Sequence, residues 1–434
     1  MLTLMQPMGR NLRPGMRAAG GLSTIFQRAP LDLRFAQQKT LDPRVTFTRA
    51  SNGTYVGGNG LIKTAATNEP RFDHNPTTGE SLGLLVEEAR TNNLVQSEDF
   101  STTWTASTVT VTTNTVVAPD GTTTADTFGP VVGDGLTTTR FLRQNPVLTT
   151  QQAYTLSVFV KVGTAATNGI ALYVSDTAAT NSFRANFNLF NLATSAASTG
   201  WATPTATIIP YPNGWYRCVL SGVTSTAHAS LRAIIYLNTF GSTSDTYGTI
   251  HIWGAQLEAG SFPTSYIPTT TAAVTRSADV CSITGSNFSS WYRQDQGTVF
   301  ADFAGFPIAS GQFPRLLECS DGTSNNVIRL QQYSSNTVRV SIIEGGLSQM
   351  AQDGGTILQG NRGKTALAVS TNDCAHVVNG GALSTDSSVT IPTGITQATM
   401  LCTLGGTNMA NSTIRRLTYW PQRLPSSTLQ TITQ

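Results

Sequence analysis

The sequence predicts an all-β protein: an extended N-terminal arm and a small β block, followed by two jelly-roll or β-sandwich domains. About one residue in six is Thr, and 39 residues are Gly. This composition disfavours helix, because Thr has a restricted χ1 and Gly a high backbone entropy, whereas Thr fits a pleated sheet. Apolar, strand-like runs recur to the C-terminus and aromatic residues reach 8%, which excludes disorder. The absence of a heptad or Gly-X-Y period excludes coiled coil and collagen.

Charge and cysteine content exclude several function classes. The 434 residues carry a formal net charge of +3, so we expect no binding to nucleic acid or to an anionic membrane surface. No apolar run approaches the roughly 18 residues of a membrane helix, and arginines interrupt the first residues, so we expect neither membrane insertion nor a secretory signal. The five cysteines have no metal-ligand spacing. These features suit a protein that is assembled in a reducing cytosol and used outside it.

Residues 1–30 are predicted to form an arm. They contain four arginines, no Asp or Glu and several Gly and Pro residues, and no hydrophobic period persists in them. Only residues 22–27 have a pattern that fits a short amphipathic helix. Two interpretations stay open: an unstructured terminus, or a segment that orders on a larger assembly. In the second case the candidates for docking are Arg10, Arg13, Arg17 and Arg28.

Residues 31–96 are predicted to form a separate β block. Alternation over Val45–Arg49 indicates a strand, a Gly-rich turn within Tyr55–Ile62 indicates a hairpin, and Leu82–Val86 reads as a further apolar strand. A meander of this size is too small to be stable without a neighbour to pack on.

Two larger units follow. Residues 97–270 contain about eight predicted strands separated by turns, which favours a two-sheet sandwich. In the strand Tyr154–Lys161, the apolar residues Tyr154, Leu156, Val158 and Val160 share one face. Residues 271–434 show the same alternation, for example over 298–303, 338–343 and 364–369. We therefore expect a second sandwich there.

Three sets of motifs resemble known modules. TFTRASNGTYV (46–56) and GLLVEEARTNNLV (83–95) resemble a module of tailed-phage structural proteins, which occurs in head spikes, head fibres and tail fibres. YTLSVFVK, GWYR and IWGAQLEAGSFPTSYIPT, in that order, are similar to carbohydrate-binding-module jelly rolls. GTVFADF and IRRLTYWPQRL are similar to the first and last strands of concanavalin-A-like sandwiches.

The resemblance implies a place and partners for the chain. It implies a location on the virion surface, contacts with other virion proteins such as capsid, portal, tail or fibre base, and a homotrimer. It leaves open whether the protein sits on the head or on the tail. The 31–96 block is the expected trimer interface, because a unit that small needs a neighbour.

The acidic residues argue against catalysis. The chain has four histidines without dyad or metal spacing, and no nucleophile elbow, P-loop or zinc motif. Glycoside hydrolysis needs two carboxylates about 5–10 Å apart. Glu87 and Glu88 are adjacent and would face opposite sides of a strand, so with Arg90 they are expected to form structural ion pairs, with Arg49 or Arg71 as partners. Convergence of Asp302, Glu318 and Glu344 in the last unit is the remaining route to an enzyme.

Sugar binding requires fewer specific groups than sugar hydrolysis does. It needs exposed aromatic rings that stack on pyranose faces, and polar groups that bind hydroxyls. Trp215 and Trp253 lie in strand motifs and are expected in the core. Trp104, Trp201 and Trp291 stand beside Thr, Gly and Ser, which makes them the candidates for glycan stacking. No cofactor is expected, and a structural calcium is compatible with the composition although no motif signals one.

The sequence thus favours a non-enzymatic virion appendage of a tailed phage, a head fibre, head spike or tail fibre. Its N-terminal region would dock on the particle and its sandwiches would bind host-surface polysaccharide. Two alternatives remain: a tail-associated polysaccharide depolymerase, and a decorative protein that stabilises the capsid without a ligand.

Overall fold

A computed structural model describes residues 24–131, 140–164, 169–238, 248–308, 312–333 and 336–434. Within these ranges the chain is all-β, as its composition predicts, and its strands form four large sheets and two two-stranded sheets. The strands are β1 (Leu31–Leu33), β2 (Thr46–Thr48), β3 (Gly53–Val56), β4 (Ile62–Ala65), β5 (Arg71–His74), β6 (Ser81–Val86), β7 (Arg90–Asn92), β8 (Thr105–Ser107), β9 (Val109–Val116), β10 (Ala125–Pro130), β11 (Phe141–Gln144), β12 (Ala153–Val162), β13 (Gly169–Asp176), β14 (Ser182–Asn188), β15 (Ala193–Thr199), β16 (Thr205–Pro210), β17 (Trp215–Val223), β18 (Leu231–Asn238), β19 (Ile250–Ala259), β20 (Val274–Arg276), β21 (Val280–Thr284), β22 (Gln296–Ala304), β23 (Arg315–Ser320), β24 (Val327–Tyr333), β25 (Thr337–Glu344), β26 (Leu347–Thr356), β27 (Arg362–Ser370), β28 (Cys374–Val378), β29 (Ser384–Asp386), β30 (Gln397–Met400) and β31 (Ser412–Trp420).

Helices are short. They are α1 (24–27), α2 (Phe35–Gln38), α3 (Gly285–Ser289), α4 (Ser426–Thr433) and a 3₁₀ turn at Pro212–Gly214. Among the described residues, none of the helices has the length and apolar character needed to cross a membrane. All five cysteines are buried and none forms a disulfide, so the fold rests on its packed cores.

The first sandwich packs two six-stranded antiparallel sheets. Sheet A has the order β16-β17-β12-β19-β10-β9, and sheet B the order β15-β14-β13-β18-β11-β8. Alternation along β12 sends Tyr154, Leu156, Val158 and Val160 into the core between the sheets, as predicted. The opposite face of sheet A carries a second cluster that contains Trp215 and Trp253, both buried as expected.

The second sandwich is assembled from both ends of the chain. Sheet C has the order β29-β28-β27-β22-β31-β6-β5, with β1 also paired to β31. Sheet D has the order β2-β21-β30-β23-β24-β25-β26. Their facing sides form one large hydrophobic core, to which Leu31, Phe47 and Leu84 contribute beside Val299 and Leu417.

This pairing changes the interpretation of residues 31–96. The sequence analysis treats them as a separate block, yet β1 and β6 pair with β31 and β2 pairs with β21. Only the hairpin β3–β4 forms a sheet of its own. The predicted strands exist, but the neighbour that stabilises them is the C-terminal sandwich of the same chain. Their small size is therefore no longer a reason to place a trimer interface there.

The described end of the arm contacts the outer face of sheet C. Residues 24–27 are helical, within the predicted helix at 22–27. The Phe26 ring lies 5.4 Å from the rings of both Phe300 and Trp420, and the Trp420 Nε1 donates a 2.9 Å hydrogen bond to the Ile25 carbonyl. Arg28 is exposed, whereas Arg10, Arg13 and Arg17 lie outside the described residues. Docking by these arginines stays a prediction.

Candidate functional site

The three tryptophans proposed as glycan-stacking platforms are not available for stacking. Trp104, Trp201 and Trp291 are exposed by only 6%, 5% and 5%. Trp104 packs against Phe100 with ring centroids 5.0 Å apart, and Trp201 lies 5.8 Å from Phe183. A pyranose ring needs an open aromatic face, so this expectation is wrong: the three rings fill the two sandwich cores.

The carboxylates of Asp302, Glu318 and Glu344, all in residues 271–434, do not converge on one site either. Asp302 lies on β22 in sheet C and forms an ion pair with Arg362 at 2.6 Å. Glu318 lies on β23 in sheet D. The β23–β24–β25 register places Glu318 level with Ser341, three residues from Glu344, so the two glutamates point to opposite faces of sheet D. None of these pairs can act on one glycosidic bond.

Glu87 belongs to a buried group of charges between the two sandwiches, which we call the junction cluster (Arg49, Arg71, Glu87, Arg276 and Asp279). Arg71 bonds Glu87 at 2.6 Å and also contacts Asp279, which in turn accepts from Arg49 at 3.2 Å. Arg276 lies 3.5 Å from Glu87. The predicted ion pairing of Glu87 with Arg71 is confirmed, whereas Glu88 pairs with neither Arg49 nor Arg71 among the described contacts but with Arg90.

The junction cluster connects the two sandwiches. The Glu87 carboxylate accepts from the Ser265 backbone N–H at 2.8 Å and from its hydroxyl at 2.7 Å, just after the last strand of sheet A. Burial alone would raise the pKa of Glu87, but the guanidinium groups of Arg276 and Arg71 and the Ser265 hydrogen bonds outweigh it and lower this pKa to about 2. Glu87 is therefore an ionised structural group, with its oxygens already bonded.

A groove runs between sheet A and the second sandwich. It encloses about 670 Å³. Three segments of the second sandwich line it: residues 305–308 after β22, residues 359–360 before β27, and residues 411–412 where β31 begins. Ser261, Phe262 and Pro263 line it as well. None of the described side chains that line the groove is charged.

The floor of the groove is the outer face of β16 and β17. Alternate residues Thr205, Thr207 and Ile209 point into it, since their neighbours Ala206 and Ile208 pack on the sandwich core. The register pairs Thr205 with Ser221, Thr207 with Val219 and Ile209 with Arg217. Among the described strands, β16 is an edge strand of sheet A and pairs with β17 alone.

Four polar side chains of the groove are free to bind a ligand. Thr205, Thr207, Ser261 and Gln359 are exposed. Within the described part of the chain, their hydroxyl and amide groups make no side-chain hydrogen bond, in contrast to Ser412, whose hydroxyl donates to the Ala304 carbonyl at 2.9 Å. Hydroxyls and an amide can both donate and accept, which suits ligands that are themselves rich in hydroxyl groups.

A smaller recess of about 190 Å³ continues from one end of the groove. Ile209 and Pro263 line both spaces. The residues that line the recess include Glu87 of the junction cluster and the half-buried Asp73. Burial, together with the nearby Glu87 carboxylate, raises the pKa of Asp73 to about 7, although the Val56 N–H donates to its Oδ1 at 2.7 Å.

Metal binding has no support from side-chain clusters. Over the described ranges, no group of three or more His, Cys, Asp and Glu side chains is arranged to hold a metal ion. A calcium held by backbone carbonyls stays a prediction. Neither the groove nor the recess was anticipated from the sequence. The available signal was the alternation of Thr205 and Thr207 with apolar Ala206 and Ile208, which marks a strand with one polar, outward face.

Comparisons with known proteins give distant similarities only. No protein-family model and no curated protein matches the chain. Among solved structures, the chain is similar to the CBM40 of the Ruminococcus gnavus IT-sialidase, with 16% identity over 34% of this chain and 88% of that chain and a TM-score of 0.30. A mutant NanB sialidase of Streptococcus pneumoniae is 16% identical over 35% of this chain and 26% of that chain, with a TM-score of 0.29. A heptameric SAP-like pentraxin of Limulus polyphemus is 16% identical over 32% of this chain and 70% of that chain, with a TM-score of 0.25. Similarities this distant assign neither a family nor a ligand to the chain.

Proposed function

We propose that the protein is a non-enzymatic, glycan-binding surface protein of a tailed-phage virion, and that it binds host polysaccharide in the groove between its two sandwiches. The observation that carries the glycan-binding part is the groove itself. It offers unbonded hydroxyl and amide side chains beside the apolar surfaces of Phe262, Pro307 and Ile308. This combination matches a sugar chain, which presents hydroxyl groups at its edges and C–H groups on its faces.

The size and charge of the groove narrow the class of glycan. Its volume of about 670 Å³ lies within the roughly 300–1,000 Å³ typical of small-molecule sites. None of the described residues that line it is charged, so these residues provide no ion-pair partner for a carboxylate or sulfate of an acidic sugar. We therefore propose a neutral glycan as the ligand of the groove.

Binding without cleavage is supported by the state of the carboxylates. Hydrolysis requires one carboxyl group to protonate the leaving oxygen and a second to attack or to activate water. Glu87 is bonded to Arg71 and Ser265, and Asp302 to Arg362. The recess offers Asp73 as an acid, but Glu87 beside it is already committed to the junction cluster. A depolymerase would need a second free carboxylate in the groove.

The groove can be tested with a double variant. Thr207→Ala with Gln359→Ala removes two ligand-binding side chains, each contributing about 0.5–1.5 kcal/mol through hydrogen bonds, so affinity for glycan should fall about 5- to 150-fold. The matched control is Thr113→Ala with Gln38→Ala: Thr113 is an exposed Thr on β9, the other edge of sheet A. Binding is measured on an array of bacterial surface polysaccharides and then by calorimetry. Binding to no polysaccharide, or equal affinity of the two double variants, would contradict the proposal.

The virion location and the trimer rest on the motif resemblance. The structure supplies a candidate contact for a trimer in β15, an edge strand of sheet B that is seven residues long, uncharged and mostly exposed. The neighbouring Phe190 is 86% exposed. A flat, uncharged edge of this kind pairs readily with a second chain, and closed threefold symmetry would limit such pairing to three copies.

Light scattering on the purified protein tests the trimer. We expect a mass of about 138 kDa, three times the 46.1 kDa of the chain. Ala193→Lys with Ser195→Lys, which charges β15, should shift the mass towards 46 kDa. A mass near 46 kDa for the unaltered protein would reject the trimer.

Immunogold labelling of intact particles would separate head from tail, and absence of label would reject the virion location.

A further inference from the structure

We propose that the recess at the end of the groove receives the terminal sugar ring of the glycan, with Asp73 and Tyr211 as the groups that bind its hydroxyls. The protein would then bind the ends of polysaccharide chains rather than their internal segments. This inference rests on the proposed glycan binding in the groove. It deepens that proposal, because it specifies which part of the polymer is recognised.

The groove and the recess form one continuous path. Ile209 on the floor and Pro263 on the side belong to both. The pairs Thr205–Ser221, Thr207–Val219 and Ile209–Arg217 follow one another along the same face of β16 and β17. At about 3.3 Å per residue, these pairs extend about 13 Å from the open groove to the entrance of the recess, enough for a short run of sugar rings.

The path becomes deeper towards the recess. Five residues that line the groove are exposed, namely Thr205, Thr207, Ser261, Gln359 and Gly360. By contrast, every residue that lines the recess is buried or half-buried. The recess is less than a third of the volume of the groove, at about 190 against 670 Å³. It has room for a single ring, and the junction cluster lies behind it.

The recess offers a different chemistry from the groove. Asp73 and Tyr211 present polar groups, while the rings of Phe159 and Tyr211 lie 5.0 Å apart and close to perpendicular. Arg217 lines the recess but is already engaged, since it donates to Ser157 and at 2.8 Å to the Thr264 carbonyl. Besides the phenol of Tyr55, this leaves Asp73 and Tyr211 as the groups suited to bind sugar hydroxyls. Carboxyl groups and aromatic rings together are the usual means of fixing one sugar ring.

The charges around Asp73 should make the affinity for glycan depend on pH. Glu87 raises the pKa of Asp73 and Arg71 lowers it, and the phenols of Tyr55 and Tyr211 are also close enough to interact with its charge. With burial as the largest cause, this pKa reaches about 7. Protonated Asp73 can donate to a sugar oxygen, whereas ionised Asp73 only accepts. Because a hydrogen bond to an ionised carboxylate is the stronger one, affinity should rise between about pH 6 and 8 in the unaltered protein.

The test compares chains of different length. The array-positive polysaccharide is cut by partial acid hydrolysis into size fractions, and binding capacity per gram is measured by calorimetry. Recognition of chain ends predicts that capacity per gram rises in proportion to the number of chain ends. A capacity per gram that does not depend on chain length would overturn the inference while leaving glycan binding in the groove intact. Absence of binding to every fraction would overturn both.

Two variants test whether the recess itself binds the sugar ring. Asp73→Asn keeps an oxygen that accepts from the Val56 N–H, so the hairpin contact is preserved. We expect affinity to fall at least 10-fold and the change between pH 6 and 8 to disappear. Asp295→Asn, at an exposed ion pair remote from the recess, is the matched control. Tyr211→Phe keeps the ring packing and should weaken binding without affecting the melting temperature. Full affinity in both recess variants would overturn the inference.

Discussion

Replacing Asp279 with Ala should lower the free energy of unfolding by about 3–5 kcal/mol. Asp279 accepts hydrogen bonds from Arg49, Arg71 and the Glu87 backbone N–H, and its side chain is fully buried. Its removal leaves three buried arginines with Glu87 as the single nearby anion of the junction cluster. An unpaired buried charge costs far more than an exposed one, because it has lost its hydration. Denaturant unfolding at pH 7 measures the effect.

Asp295→Ala provides the control for Asp279→Ala. Asp295 also pairs with an arginine, but both side chains are at least half exposed, so its loss should change stability far less than the loss of Asp279. Because the pKa of Glu87 is lowered in the folded state, its stabilising contribution is present above about pH 4.5 and is lost as the pH falls towards 2. Equal effects of the two replacements at pH 7 would contradict a structural role for the cluster.

Trp291→Ala should destabilise the protein by about 3–5 kcal/mol, because it leaves a large cavity in the second sandwich. The ring is buried against Phe288 and Tyr419, with centroids 4.9 Å from each. Val147→Ala truncates an apolar side chain that is 82% exposed and should change stability by less than about 0.5 kcal/mol. Thermal unfolding compares the two variants.

The same Trp291 variant separates packing from sugar stacking. At a temperature where Trp291→Ala remains folded, its affinity for glycan should equal that of the unaltered protein, because the ring is buried in the sandwich core and does not line the groove. Loss of glycan binding with unchanged stability would show instead that the ring contacts the ligand.

Strands could be predicted from the sequence because alternation is a local property. The residues that face inwards on β12 and on β22 follow from the two-residue period alone. The burial of Trp104, Trp201 and Trp291 could not be predicted in this way. Their sequence neighbours are Thr, Gly and Ser, whereas their burial results from rings that lie far away along the chain, such as Phe183 against Trp201.

Long-range pairing explains the other differences. The sequence contains the strands of residues 31–96, but their partners β21 and β31 lie more than 200 residues later. Glu87 could be identified as a structural ion because buried carboxylates require a partner, and an arginine was close by in sequence. The groove combines β16 with loops at 305–308 and 359–360, and its Thr and Gln side chains form no motif. A site of ordinary residues becomes visible only when the sandwiches are placed together.

The central claim is that the groove between the sandwiches binds glycan, and a structure of the complex tests it most directly. The protein would be crystallised, or imaged by cryo-EM, with an oligosaccharide fraction of the polysaccharide that it binds on the array. We expect density for sugar rings along β16, within hydrogen-bond distance of Thr207 and Gln359. Sugar bound only at another surface, with the groove filled by solvent, would contradict the claim.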